Sequence, residues 1–280
     1  MSAKLLGWVL LLYFVGSLMY LVAAVFQQRQ LNSLARWPVL GGFALHTLSL
    51  IWRWLESHQL NIGHAPLSNF YESLLFFSWA MICVSYLSFW RQMRDYLASF
   101  VAILACLILA YASFGGHASD IMPLMPALKS NWLIIHVITC FLAYAAFALG
   151  CGAAILYFLV SRPASVKKQR ALQARLLITA EDLDDLIYRA ILIGLFLLTL
   201  GIITGAVWAE SAWGRYWSWD PKETWSLITW LVYAGLIHAR FARGWQGQRI
   251  ALLAVVGFAA VLFTYFGVSF LLPGLHAYLS

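Results

Sequence analysis

Eight apolar runs, each close to the length of a membrane-crossing helix, alternate with short polar connections along the chain. They cover Leu5–Phe26, Pro38–Leu55, Asn69–Trp90, Tyr96–Phe114, Trp132–Val160, Leu186–Trp208, Pro221–Ala239 and Ile250–Leu272. Within each run the apolar residues are continuous rather than alternating, which predicts helices and excludes the dyad pattern of a β-barrel. At a rise of about 1.5 Å per residue each run reaches across a hydrocarbon core of about 30 Å. The second and seventh sit at the short end of that range, and the fifth is long enough to project beyond the bilayer. The predicted fold is all-α: a polytopic membrane helical bundle of about eight transmembrane helices with a Trp-rich outer loop.

Composition sharpens this picture. Of 280 residues, 63% are apolar and 10% are charged, and mean hydropathy is +0.80. Soluble domains carry about 25% charged residues, so a soluble or disordered chain is excluded. The lipid bilayer is therefore the surrounding partner. The net charge is +7, but the basic residues lie in short loops rather than in one patch, so nucleic acid is not a predicted partner. Thirteen Lys and Arg residues fall on one side of the predicted spans, and only Lys4, Arg53, Lys129, Arg215 and Lys222 on the other. That bias puts the first set in the cytoplasm and both termini outside. The first run is too long for a signal h-region and is kept as a span. The whole chain, 1–280, is expected to be one transmembrane domain. Cys83, Cys106, Cys140 and Cys151 form no C-x-x-C pair, which leaves a disulfide framework or zinc site without support. The acidic group Glu181, Asp182, Asp184 and Asp185 reads as a solvated face of a cytoplasmic helix.

The connection before the seventh span carries the strongest chemical signal. Four tryptophans and a tyrosine fall between Trp213 and Trp225, within a Trp-rich segment spanning 208–225. An interfacial aromatic belt accounts for one or two aromatics per helix end, not this density. A flat aromatic platform suits a large planar π ligand, and Arg215 and Lys222 are placed to meet carboxylates on it. Asp220-Pro221-Lys222-Glu223 also reads as a helix start, with Asp at N-cap, Pro at N1 and Glu at N3. Asn69-Phe-Tyr-Glu72 repeats that logic before the third span.

Histidines inside spans are costly and default to functional hypotheses. Counted from Pro38, His46 lies about 12 Å from the cytoplasmic face, and His238 lies about 5 Å inside the same face. His136 is one turn into the fifth span and His276 follows the Pro273-Gly274 stop, both on the outer side. Two imidazoles on opposite faces of one iron make a six-coordinate haem site, so two pairs would mark two stations. Each histidine alone also fits an interhelical hydrogen-bonding role. His58, His64 and His117 read as ordinary surface residues of outer loops.

Trp213-Gly-Arg-Tyr-Trp217-Ser-Trp219-Asp220-Pro-Lys-Glu-Thr-Trp225 resembles the tryptophan-rich WWD motif of the CcsA/ResC family of the system II pathway of cytochrome c biogenesis. Pro66-Leu-Ser-Asn69-Phe-Tyr-Glu72, Met125-Pro-Ala-Leu-Lys-Ser-Asn-Trp-Leu-Ile-Ile-His136 and Gly274-Leu-His276 resemble further family segments. The resemblance covers about 38–280, with 1–37 a weakly matched N-terminal span. It implies that Trp213, Arg215, Tyr216, Trp217, Trp219, Asp220 and Trp225 contact haem b, held non-covalently in transit. His136 and His276 are then its outer axial ligands, and His46 and His238 receive it deeper in the membrane. It further implies a CcsB/ResB-type membrane protein, apocytochrome c and a thioredoxin-like thiol reductant as partners. The activity it implies is haem delivery to the outer side and thioether formation at a CxxCH segment, as a component of a holocytochrome c synthase that acts by positioning haem. The membrane would be the bacterial cytoplasmic membrane or the thylakoid. Two alternatives carry other expectations: CcmC-type haem handover to a chaperone, and a proton-coupled transporter, which predicts an inverted repeat.

Overall fold

The computed structural model describes residues 2–89, 95–116, 119–161 and 178–274. Helices appear at all eight predicted places: α1 (Ser2–Phe26), α2 (Arg29–Gln59), α3 (Phe70–Phe89), α4 (Asp95–Phe114), α5 (Asn131–Val160), α6 (Ala180–Trp213), α7 (Pro221–Arg243) and α8 (Gln248–Leu271). A short 3-10 turn, Pro126–Leu128, precedes α5. There is no strand among the described residues. Every helix but α7 is long and apolar enough to cross a membrane. α7 has the length, but Thr, Trp, His and Arg side chains lower its hydropathy. The chain divides into two compact units, Met1–Val137 and Ile138–Ser280.

In the first unit, α1 and α2 pack closely along their length. α2 starts nine residues before the predicted Pro38 and keeps that proline in its interior. A mid-helix proline forfeits one backbone hydrogen bond, and close packing offsets part of that loss. Gly16 of α1 lies so near Val39 that a Cβ there would come within 2.5 Å of Val39 Cγ2. Gly42 gives Tyr13 the same kind of access, at 2.8 Å. Small residues that let helices approach are the usual means of association where lipid removes the hydrophobic drive.

The start of α3 is held by a buried ion pair. Arg53 Nε donates to Glu72 Oε1 at 2.8 Å, and both side chains are almost wholly buried. Arg53 also donates to the Ser119 carbonyl at 2.9 Å. Glu72 accepts from the Ser68 backbone N–H and hydroxyl at 2.9 and 2.7 Å, while Asn69 Oδ1 caps the Glu72 N–H at 2.8 Å. The predicted capping role of Asn69 and Glu72 therefore holds; the carboxylate additionally ties α2 to the start of α3, and Arg53 ties α2 to the connection before α5. Buried charges persist only when paired and hydrogen-bonded in this way.

In the second unit the core is a stacked ring pair, Phe147 on α5 and Tyr233 on α7, with centroids 3.7 Å apart and planes 3° from parallel. A glycine seats each ring. A Cβ on Gly194 of α6 would meet Phe147 Cε1 at 2.5 Å, and one on Gly257 of α8 would meet Tyr233 Cζ at 2.7 Å. Trp230 Nε1 donates to Thr199 Oγ1 at 2.8 Å and joins α7 to α6.

The acidic group at the start of α6 is solvated as predicted, except at Asp184. Glu181, Asp182 and Asp185 are exposed, and Asp182 forms a capping box with Thr179. Asp184 is buried, accepting from Arg240 at 2.6 Å and from the Gly247 N–H at 2.7 Å. The cause is the Arg240 guanidinium of α7, which also lies 4.5 Å over the Tyr188 ring and neutralises a carboxylate that would otherwise need water.

Because the stacked rings cannot retreat from one another, Gly194→Ala and Gly257→Ala should each destabilise the protein by about 1–3 kcal/mol through overpacking. Thermal unfolding of the purified protein in detergent measures this, with Gly235→Ala, where an added Cβ meets nothing within 4 Å, as the neutral comparison.

Candidate functional site

The Trp-rich segment begins inside α6, which runs five residues past the expected Trp208 and ends at Trp213. Trp208 is consequently buried, in edge contact with Trp213 at 4.8 Å. Gly214 closes the helix at φ 75°, a left-handed position suited to glycine. Arg215, Tyr216 and Trp219 are exposed, the two rings to 61% and 69%, whereas Trp217 is half-buried. Trp217 and Trp219 meet edge to face at 5.8 Å and 89°. The segment is thus a folded cluster of rings at steep angles, not the flat platform expected, because edge-to-face contacts suit the ring quadrupoles better than coplanar ones. Tyr216 and Trp219 are the faces it offers.

One carboxylate shapes this segment. Glu223 Oε2 accepts from the Ser218 N–H at 2.7 Å, the Ser218 hydroxyl at 3.1 Å and the Asp220 N–H at 3.2 Å. Asp220 Oδ1 in turn accepts from the Lys222 N–H at 2.9 Å, completing a capping box. Asp220 is buried, so its first role is to start α7. Sequence reasoning noticed Glu223 only as an N3 residue; the serine two places before the N-cap was the missed signal. Trp219 has φ 60°, a left-handed conformation that costs a residue with a Cβ about 1–2 kcal/mol. Strain of this kind concentrates at functional sites.

Behind the segment, Trp225 packs on Phe263 of α8 with centroids 4.2 Å apart. The Trp225 carbonyl accepts from Thr229 at 2.8 Å and from Thr264 at 3.3 Å, and the two buried hydroxyls lie 3.0 Å apart. Thr264 falls within the π-helical turn Phe263–Gly267, a feature frequent at functional sites. In front, Gly274 passes against the motif. A Cβ on Gly274 would lie 2.5 Å from Asp220 Oδ2 and 3.1 Å from Pro221 Cδ, so the C-terminal stretch reaches the Trp-rich segment two residues before His276.

The predicted histidines fall as follows. His46 is fully buried. Its Nδ1 lies 3.4 Å from Tyr13 Oη, and Nε2 has no hydrogen-bond partner. Because α2 begins at Arg29 and not at Pro38, His46 sits about 26 Å from that helix end, near mid-helix, rather than about 12 Å from a face. His238 is exposed on α7, and His136 is half-buried on α5. His276 and His117 lie outside the described residues. His46 and His136 belong to the first unit, and His238 and the Trp-rich segment to the second. Of the three histidines read as surface residues, His58 is exposed but His64 is buried. Its ring nitrogens face the carbonyls of Ala65 and Met122 at 2.8 and 3.0 Å, partners that no sequence pattern announced.

The chain matches the family described as cytochrome C assembly protein over residues 67–276. It is 41% identical over 256 residues to a cytochrome c biogenesis protein CcsA of Synechococcus sp., covering 84% of this chain and 83% of that protein. It is 42% identical over 250 residues to the CcsA of Guillardia theta, covering 83% and 81%. Among solved structures, cytochrome c heme lyase CcmF is similar at a TM-score of 0.67 and 18% identity, over 95% of this chain. The chain spans about half the length of that structure, 47%, and the likeness concerns the fold.

Two substitutions test the motif's construction. Glu223→Ala should free the Ser218 and Asp220 N–H groups and cost about 1–3 kcal/mol. Trp219→Gly should remove the backbone strain and leave stability equal or higher. Thermal unfolding and limited proteolysis between Arg215 and Lys222 report both.

Proposed function

From a chain that belongs to the cytochrome C assembly protein family and has a role in cytochrome c biogenesis, we propose that its residues deliver haem to the outer side of the membrane and hold it for attachment to apocytochrome c. The observation that carries this reading is the approach of Gly274 to Asp220. It supports the C-terminal histidine segment and the Trp-rich segment acting as one site. The exposed rings of Tyr216 and Trp219 offer stacking contact to a porphyrin, and the exposed Arg215 guanidinium offers a partner to a propionate. His136 and His276 are the axial ligands in this reading. A doubly ligated iron fixes the plane and orientation of the ring, so its vinyl groups present to the incoming CxxCH segment. Each cysteine S–H then adds across one vinyl double bond, and the cytochrome's histidine displaces one outer ligand before release.

Deeper in the membrane, His46 and His238 receive haem. The donor set suits iron at His46, whose buried Nε2 is unpaired while Tyr13 orients the other nitrogen. No side chain of this chain is needed as general acid or nucleophile; its contribution is position. The partners in this reading are a CcsB/ResB-type membrane protein, the apocytochrome and a thioredoxin-like reductant that keeps the CxxCH thiols reduced. The membrane is the bacterial cytoplasmic or the thylakoid membrane, with the Trp-rich segment on the outer side.

The test is a visible spectrum and pyridine haemochrome of the protein purified with its CcsB-type partner, alongside His136→Ala and His276→Ala. Haem b in the unmodified protein, with ligation or retention altered in both variants and cytochrome c yield reduced, is the expected result. Haem indifferent to both substitutions would overturn the assignment.

A further inference from the structure

A second feature lies away from the Trp-rich segment, wholly within the first unit. The last turns of α2, the connection before α3 and the first turn of α5 enclose a cavity of about 480 Å³. Its floor is aliphatic, with Leu128 and Leu133 buried in it beside His64, and the exposed Trp54, Lys129 and Asn131 stand at its rim. None of its lining residues is acidic. Trp54 is half exposed there.

His64 is a fixed part of the cavity wall. Both ring nitrogens face carbonyl oxygens, those of Ala65 and Met122. A carbonyl can only accept, so a ring nitrogen bonds there as the donor. Ser57 brackets the residue from α2, accepting the His64 N–H at 3.2 Å and donating to the His64 carbonyl at 2.8 Å. The charged and titratable groups on the surrounding elements are His58, Glu56 and the Arg53–Glu72 pair on α2 and α3, Asp120 beside Ser119, and Lys129 before α5. Glu72 is neutralised by Arg53, Glu56 is bonded to Ser2, and Asp120 is exposed and does not line the cavity. Among the described residues that line the cavity, Lys129 is the formal cation and no carboxylate stands beside it. The first-turn N–H groups of α5 point the same way.

We propose that this cavity binds the anionic head group of a membrane lipid, with its phosphate near Lys129 and its glycerol and upper acyl chain on the aliphatic floor. The position supports a lipid source. The cavity opens where two helices fit to cross a membrane, α2 and α5, end or begin, and a half-exposed indole at such an end is an interfacial feature. This inference stands apart from the haem reading, since none of the residues given to haem lines the cavity.

The protein in nanodiscs tests it, with dibromo-phosphatidylglycerol or dibromo-phosphatidylcholine doped into an unbrominated phosphatidylcholine bilayer. The readout is the fluorescence of Trp54, taken as the difference between the unmodified protein and Trp54→Phe. The anionic lipid should quench Trp54 at about tenfold lower mole fraction than the zwitterionic one, a preference of about 1.4 kcal/mol. Lys129→Ala should abolish that preference and Lys129→Arg keep it; both changes are at an exposed side chain and spare the fold. Equal quenching by the two lipids, or a preference untouched by Lys129→Ala, overturns the proposal. Relief of quenching by inorganic phosphate alone would also overturn it as a lipid site and reassign the cavity to free anions.

Discussion

A hydrocarbon interior offers no partner to a backbone N–H, and a departure from helix that is buried from water has to be closed by the chain itself. That single constraint explains where its few acidic side chains are spent. Glu72 and Glu223 both occupy the third position of a helix that follows irregular backbone, and both turn back to accept from a serine's N–H and hydroxyl at once. Asp184 does the comparable service at the other end of α7, where it takes the Gly247 N–H along with Arg240. The carboxylates are structural closures first. The chemistry offered to a ligand is left to aromatic rings, imidazoles and exposed cations.

The two glutamates differ in a way that bears on their sites. Glu72 is neutralised by Arg53, whose second nitrogen reaches Ser119 and so commits three segments to one position. Glu223 has no ion pair among the described residues; its charge is met by hydrogen bonds and by the start of α7. The first arrangement is a fixed junction. The second closes a short loop and leaves the rings around it to be set by contacts with Phe263 and Trp208.

Much of the architecture was legible in the sequence, because continuous apolar runs admit little else in a bilayer. The existence of all eight helices, the helix starts at Asn69 and Asp220, and the Trp-rich segment followed from pattern alone. What escaped was set by tertiary contact. Pro38 read as a helix start because proline favours first turns, yet the fit of Gly16 against Val39 keeps it inside α2. The tryptophans read as a plate, but spacing along a chain carries no ring angles. His64 read as surface because its two acceptors are backbone carbonyls, one of them 58 residues away. Asp184 looked solvated until Arg240, distant in sequence, was brought to it.

The helix starts at Asn69 and Asp220 can be laid over one another residue for residue, with one discrepancy. In the first, the doubly donating Ser68 directly precedes the cap; in the second, Trp219 stands between Ser218 and the cap. That added residue takes the left-handed turn and points its indole outward. The frame bonds run from its neighbours, not from its ring. Trp219 is therefore an insertion into a self-sufficient scaffold, and its side chain can be replaced while the scaffold keeps its shape.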